Sequence, residues 1–117
     1  MTTWLITGCS SGIGRGIAKA VLKHGDNAIV TARNISTVAD IVENYPDTAI
    51  AVPLDITNIE SIADAVKAAA DNFGGVDVLV NNAGYGDRSS IEEGEEESVN
   101  LLCDTNVFGP IEVIKQV

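Results

Sequence analysis

Apolar and polar positions alternate along this chain in two different rhythms. Short, nearly continuous apolar runs recur at Thr3–Thr7, Ala28–Ala32, Ala49–Leu54 and Val76–Val80. Runs that short, without a polar face, predict strands buried on both sides. Between them apolar residues return every three or four positions, which predicts helices. The first helix runs from Ile13 to His24 with Ile13, Ile17 and Val21 on one face, and Gly25 stops it. A second starts after Ser36 and ends near Tyr45-Pro46, since proline disfavours helix in the residue before it. A third opens on the capping box Thr57-x-x-Glu60 and carries a stripe of Ile59, Ile62, Ala63, Val66, Ala69 and Ala70. Gly74-Gly75 ends it. A last helix spans Glu95–Val117, with Val99, Leu102, Cys103, Val113 and Val117 marking a buried face.

Strand and helix alternate throughout, so the expected architecture is α/β: a parallel sheet covered on both faces. With right-handed crossovers the strands fall in the order 3-2-1-4, the N-terminal half of a Rossmann-type doubly wound fold. No repeat, low-complexity linker or domain boundary interrupts the pattern, which makes residues 1–117 one domain.

Composition narrows the function. At 45% apolar content the chain has enough to bury a core, and 4% aromatic makes that core aliphatic. No apolar run approaches the ~18 residues needed to cross a membrane. The N-terminus has neither a basic segment nor a cleavable apolar one, so the cytoplasm is the expected location. Cys9 and Cys103 are too sparse for a disulfide framework or a zinc site, and no metal is expected. The net charge of −10 is uneven: residues 1–34 hold Arg15, Lys19, Lys23 and Arg33 against Asp26 alone. A basic first third suits an anionic cofactor, and the acidic remainder argues against nucleic acid. Glu92, Glu93, Glu95, Glu96 and Glu97 read as a solvated loop entering the first turn of a helix.

The candidate chemistry begins between the first strand and the first helix, at Thr7-Gly8-Cys9-Ser10-Ser11-Gly12-Ile13-Gly14. A glycine turn there lets backbone approach a pyrophosphate without a Cβ in the way, and the helix start adds free N–H donors and a positive dipole end. Gly8, Gly12 and Gly14 are the turn residues; the Ser10 and Ser11 hydroxyls and the Ile13 N–H are the donors. Cys9 reads as a turn residue, at a helix N-terminus that could lower its pKa. The end of the second strand selects the cofactor. A carboxylate there would bind the ribose 2′-OH of NAD, but the chain has Ala32 followed by Arg33 and Asn34. A guanidinium binds a 2′-phosphate instead, so NADP(H) is the expected cofactor, unless Arg33 is only a surface residue. Arg15 either assists or is a solvated helix position.

The spacing T-G-x-x-x-G-x-G, with Arg33, Asp55, Asn81-Asn82-Ala83-Gly84 and Asn106 following in order, resembles the short-chain dehydrogenase/reductase family over the whole chain. The resemblance implies that Asp55, with Ile56 beside it, contacts the adenine ring; a plain helix cap at Asp55 is the alternative. It implies that Asn82, Ala83 and Gly84, with Asn81, line the cofactor and brace the sheet. It also implies that Asn106 holds a water in the proton relay of the active site. Pro110 lacks the N–H that would bond the carbonyl of Asn106, so the residues predict a kink at that point, and fixing the kink is the other role open to Asn106.

The family's serine and its Tyr-x-x-x-Lys pair have no counterpart within these 117 residues. Tyr85 and Tyr45 are followed four positions later by Ser89 and Ala49, not by lysine. The expected activity is therefore that of the cofactor-binding half of an oxidoreductase moving hydride between nicotinamide and a small alcohol or carbonyl substrate. A non-catalytic NADP(H)-binding module and an inactive truncated fragment are the alternatives. Because the family continues its sheet beyond strand four, that strand is expected to be an exposed apolar edge through which the chain forms a homo-oligomer.

Overall fold

The computed structural model describes residues 2–82 and 109–117. Among them, strands β1 (Thr3–Ile6), β2 (Asn27–Ala32), β3 (Ala49–Pro53) and β4 (Val78–Val80) run parallel in the order β3-β2-β1-β4. The helices are α1 (Gly12–His24), α2 (Ala39–Asn44), α3 (Ile59–Phe73) and α4 (Gly109–Gln116), and a 3₁₀ turn at Ile35–Val38 leads into α2. This is the Rossmann-type half-sheet that the alternation of patterns predicts.

Strand alternation divides the core in two. Ile6, Ala28 and Val30 face one side and pack with Ala18, Val21 and Leu22 of α1 and Ile41 of α2. Leu5 and Ile29 face the other side and pack with Ile62, Ala65 and Ala69 of α3 and Val113 of α4. A strand covered on both faces has no solvent side to mark with polar residues, which is why β2 reads as an unbroken apolar run. Fully burying one isoleucine of this kind contributes about 1.5–3 kcal/mol. Among the described residues β4 pairs on one side only, with β1, and its three residues are half-buried.

Several boundaries and faces differ from the sequence expectation. Ile13 is 75% exposed, and α1 instead buries Gly14, Ala18, Val21 and Leu22. Small residues at Gly14 and Ala18 let α1 sit close to the sheet, and that contact, not the bulkier Ile13, sets its rotation. In α3 the cap is Asn58, whose Oδ1 accepts from the N–H groups of Glu60 (3.0 Å) and Ser61 (3.2 Å). Thr57 lies one residue before that cap, its hydroxyl donating to Asp55 Oδ1 (2.6 Å), so the expected capping box does not form. The buried stripe of α3 is Ile62, Ala65 and Ala69, whereas Ile59, Ala63 and Ala70 are exposed. An alanine-rich helix is nearly apolar all round, so only its packing partners select the face.

The second helix begins at Ala39, later than expected, and an irregular turn precedes it. The Asn34 side chain accepts from Ser36 N–H (3.1 Å) and the Thr37 N–H bonds the Asn34 carbonyl (3.2 Å), which closes a 3₁₀ turn. Strand β4 is shorter than Val76–Val80. Asp77 still hands its N–H to the Thr3 carbonyl (2.9 Å) and accepts from Thr3 N–H (2.9 Å), tying the strand start to β1. On α4, Val113 is buried as expected, but Val117 is 45% exposed. Val99, Leu102, Cys103 and the acidic cluster at Glu92–Glu97 lie outside the described residues.

Candidate functional site

Parallel strands send their C-terminal ends to one side of the sheet, and the chain reverses its direction of travel across the sheet between β1 and β4. Ligands of open α/β sheets bind at that switch point. The Gly8–Gly14 turn follows β1 there, and Asn82 follows β4.

The turn is anchored to both neighbouring strands. On the β2 side, Cys9 N–H donates to the Thr31 carbonyl (2.8 Å), and the buried Thr31 hydroxyl donates to the Ile6 carbonyl (2.7 Å). On the β4 side, Thr7 N–H donates to the Val80 carbonyl (3.1 Å), and the Thr7 hydroxyl accepts from Asn82 N–H (2.9 Å). The Asn82 side chain closes the bracket, its Nδ2 donating to the Gly8 carbonyl (3.0 Å). Asn82 thereby braces the turn, and Asn81 beside it is exposed.

Two features of the glycines shape the backbone at the turn. Gly8 and Gly12 both take positive φ, 70° and 64°, a region that side-chain-bearing residues avoid. Gly14 is held so close to its neighbours that a Cβ would overlap the Gly8 carbonyl oxygen and the Asn82 amide. The first turn of α1 carries no acidic residue, and Ser11, at its N-cap, makes no side-chain bond to the helix it precedes. The Ser10 and Ser11 side chains and Ile13 are exposed. The result is an exposed helix start with free N–H groups at a positive dipole end, suited to an anion.

Cys9 sits inside this turn but is not a reactive thiol. It is fully buried, its Sγ lies 3.3 Å from the Ile6 carbonyl, and burial pushes its pKa up to about 11. Burial outweighs the helix end that the sequence suggested would lower it. At pH 8 about one molecule in a thousand carries the thiolate. Iodoacetamide is therefore expected to leave Cys9 unlabelled in the native protein over hours, and to label it fully in denaturant. Rapid native labelling, read by peptide mass, would show that the turn opens readily.

Arg33 and Asn34 follow β2, and Asp55 and Ile56 follow β3. Ala32 is buried and Arg33 exposed, and Arg33 forms no ion pair among the described residues. Asn34 spends its side-chain oxygen on Ser36 N–H and the Ser36 hydroxyl (2.7 Å). Asp55 is held below the usual carboxylate range, first by the Thr57 hydroxyl and N–H, with the Arg33 charge adding a smaller effect. The Asp55 N–H donates to Ser61 Oγ of α3 (2.9 Å). Ile56 is buried in the core.

The fold thus brings Gly8, Ser10, Ser11, Gly12, Ile13, Gly14, Arg33, Asn34, Asp55, Ile56 and Asn82 to the C-terminal side of the sheet. Ala83, Gly84 and Asn106 lie outside the described residues. Sequence reasoning missed Thr31, whose only signal is a hydroxyl within an apolar strand, and the Arg15 contacts described below. Among the described residues no cluster of metal ligands occurs, and no helix is long and apolar enough to cross a membrane.

Comparison with known proteins agrees with this fold. The family model of the short chain dehydrogenases matches residues 2–117. An oxidoreductase of Botryotinia fuckeliana, BOA17, is 35% identical over 115 residues, which cover 97% of this chain and 42% of that protein. A short-chain dehydrogenase structure from Streptomyces avermitilis superimposes with a TM-score of 0.95 at 41% identity, covering 99% of this chain and 43% of that one. A 3-ketoacyl-(acyl-carrier-protein) reductase from Brucella melitensis, solved with NADH, gives 0.92 at 34% identity, covering 98% and 48%. The chain belongs to the short-chain dehydrogenase family of oxidoreductases. It spans less than half the length of these three relatives.

Proposed function

We propose that this chain is the cofactor-binding half of an NADP(H)-dependent oxidoreductase that interconverts a small alcohol and its carbonyl compound. The observation that carries the choice of cofactor is the end of β2, where buried Ala32 stands in place of a carboxylate and exposed Arg33 follows it without an ion-pair partner among the described residues. A guanidinium in that position binds a 2′-phosphate through paired, charge-assisted hydrogen bonds.

The residues present fit the cofactor. At Gly14 the lack of a Cβ lets α1 pack against the Gly8 carbonyl and the Asn82 amide, which holds the turn in shape. Its backbone N–H groups, with the Ser10 and Ser11 hydroxyls, would hold the pyrophosphate. Arg33 and Asn34 would hold the 2′-phosphate side of the adenosine, and Asp55 and the Ile56 backbone the adenine. Asn82, Ala83 and Gly84 would line the nicotinamide side, and Asn106 would support the proton relay. The bound nicotinamide supplies or accepts the hydride. The serine, tyrosine and lysine that complete such a site belong to a longer protein, in keeping with the share of its relatives that this chain spans. A cytoplasmic homo-oligomer is part of this reading; a non-catalytic module is less favoured, because the matched relatives are named as oxidoreductases and dehydrogenases.

Calorimetric titration of the intact protein with NADPH and NADH tests the reading. NADPH is expected to bind about 100-fold more tightly, the yield of two charge-assisted bonds. Equal affinities, or a preference for NADH, the ligand of the Brucella complex, would remove Arg33 from the role.

A further inference from the structure

A second guanidinium stands near the end of β2, and it is already engaged. Arg15, on the second turn of α1, donates from Nη1 to the Thr37 carbonyl (3.1 Å), while its Nη2 pairs with the Asp40 carboxylate. Thr37 in turn donates its N–H to the Asn34 carbonyl (3.2 Å) and its hydroxyl to the same oxygen (2.7 Å). The anchor of Arg15 therefore lies in the turn that begins one residue after Arg33. Arg33 forms no ion pair among the described residues, so the two arginines at this rim are in opposite states: one open, one held.

We propose that Asp40 is a specificity-determining residue that withholds Arg15 from the cofactor's 2′-phosphate and so limits the preference for NADP(H). This rests on the NADP(H) reading given above. The Arg15 side chain is only 23% exposed, and that of Asp40 is 57% exposed. An ion pair with one partner in water is weak, and a phosphate dianion offers the guanidinium a stronger, paired contact. The Asp40 carboxylate and the 2′-phosphate then compete for one guanidinium. Its own negative charge adds repulsion at the same rim, but a competition for Arg15 requires Arg15 to be present, and that separates the two effects.

The experiment is a double-mutant cycle on the intact protein, titrated with NADPH and with NADH at constant salt. Asp40→Asn is expected to tighten NADPH about fivefold, the scale of one added charge-assisted bond, and to leave NADH unchanged. In an Arg15→Met background the same substitution is expected to shift the NADPH/NADH ratio by less than about twofold. A gain that persists in that background would overturn the competition and leave only a field effect. A weaker NADPH affinity in Asp40→Asn would show that Asp40 presents Arg15 to the phosphate, and an unchanged ratio would show no coupling; either overturns the proposal. Asp40→Ser serves as the second variant, and melting curves confirm that each variant is folded. Arg33→Ala, run in parallel, keeps the two ideas apart. If it leaves NADPH binding untouched, the NADP(H) reading itself fails; if it weakens NADPH while Asp40→Asn does nothing, only the role of Asp40 fails.

Discussion

Gly14→Ala is expected to destabilise the protein by about 3 kcal/mol and to weaken cofactor binding by at least about 100-fold. The added methyl has nowhere to go. It would overlap the Gly8 carbonyl oxygen and the Asn82 amide, and its third neighbour, the Gly8 carbonyl carbon, is 3.0 Å away. Both clashing groups are fixed, the Asn82 amide by its bond to that same carbonyl and Gly8 by its position between β1 and the turn. Relief requires α1 to move off the sheet or Asn82 to give up its bond, and either change deforms the backbone donors. Two neighbouring glycines calibrate the effect. Gly12 has open space around its Cβ position but φ of +64°, so alanine there costs about 1 kcal/mol of backbone strain. Gly16 has open space and ordinary φ, and alanine there should stabilise α1 by about 0.5–1 kcal/mol. Thermal melts of the three variants should rank in that order, with Gly14→Ala lower than wild type by roughly 10 °C. Equal melts for Gly14→Ala and Gly16→Ala would show that the close approach of α1 to the turn is not what the glycine serves.

The second large effect is on cofactor choice. Ala32→Asp combined with Arg33→Ile is expected to reverse the preference from NADPH to NADH, a change of about 1,000-fold in the ratio of dissociation constants, or roughly 4 kcal/mol. Two contributions add. On the proposed reading, removing Arg33 deletes the charge-assisted bonds to the 2′-phosphate. A carboxylate at position 32 accepts hydrogen bonds from a free 2′-OH and repels a phosphate in the same place. Arg33→Ile alone should deliver the first part and lower NADPH affinity with little change for NADH. Ala32 lies in the core cluster beside Val38 and Ile41, so the aspartate must turn outward, and the double variant should melt lower without ligand and recover with NADH. A ratio unmoved by both variants would place the 2′-phosphate elsewhere.

Much of the fold was legible because the signals are local. Four short apolar runs, each closed by a glycine or polar turn, define the strands, and their alternation with helical periods leaves few topologies for a parallel sheet. The glycine spacing after β1 located the turn for the same reason: backbone conformation is set by the residue that adopts it. The misread elements share a cause. Ile13, Ile59, Ala63, Ala70 and Val117 fit a helical stripe, but a helix rich in alanine or glycine offers several stripes, and its neighbours select one. Thr57 resembled a cap, but the helix starts one residue later than expected and Asn58 caps it.

The amino-acid sequence by itself determined the succession of strands and helices, the order 3-2-1-4, the glycine turn at Gly8–Gly14 and the absence of a carboxylate after β2. Each of these follows from patterns a few residues long. The tertiary structure alone decided that Asn82 brackets Gly8 across 74 residues of sequence, that Thr31 anchors the turn, and that Arg15 is held by Asp40 across 25. Such contacts form only where the sheet brings distant strand ends together, and no local periodicity encodes which polar side chain will meet which. The turn's existence is a property of its glycines; its rigidity, and the state of the charges around it, is a property of the fold.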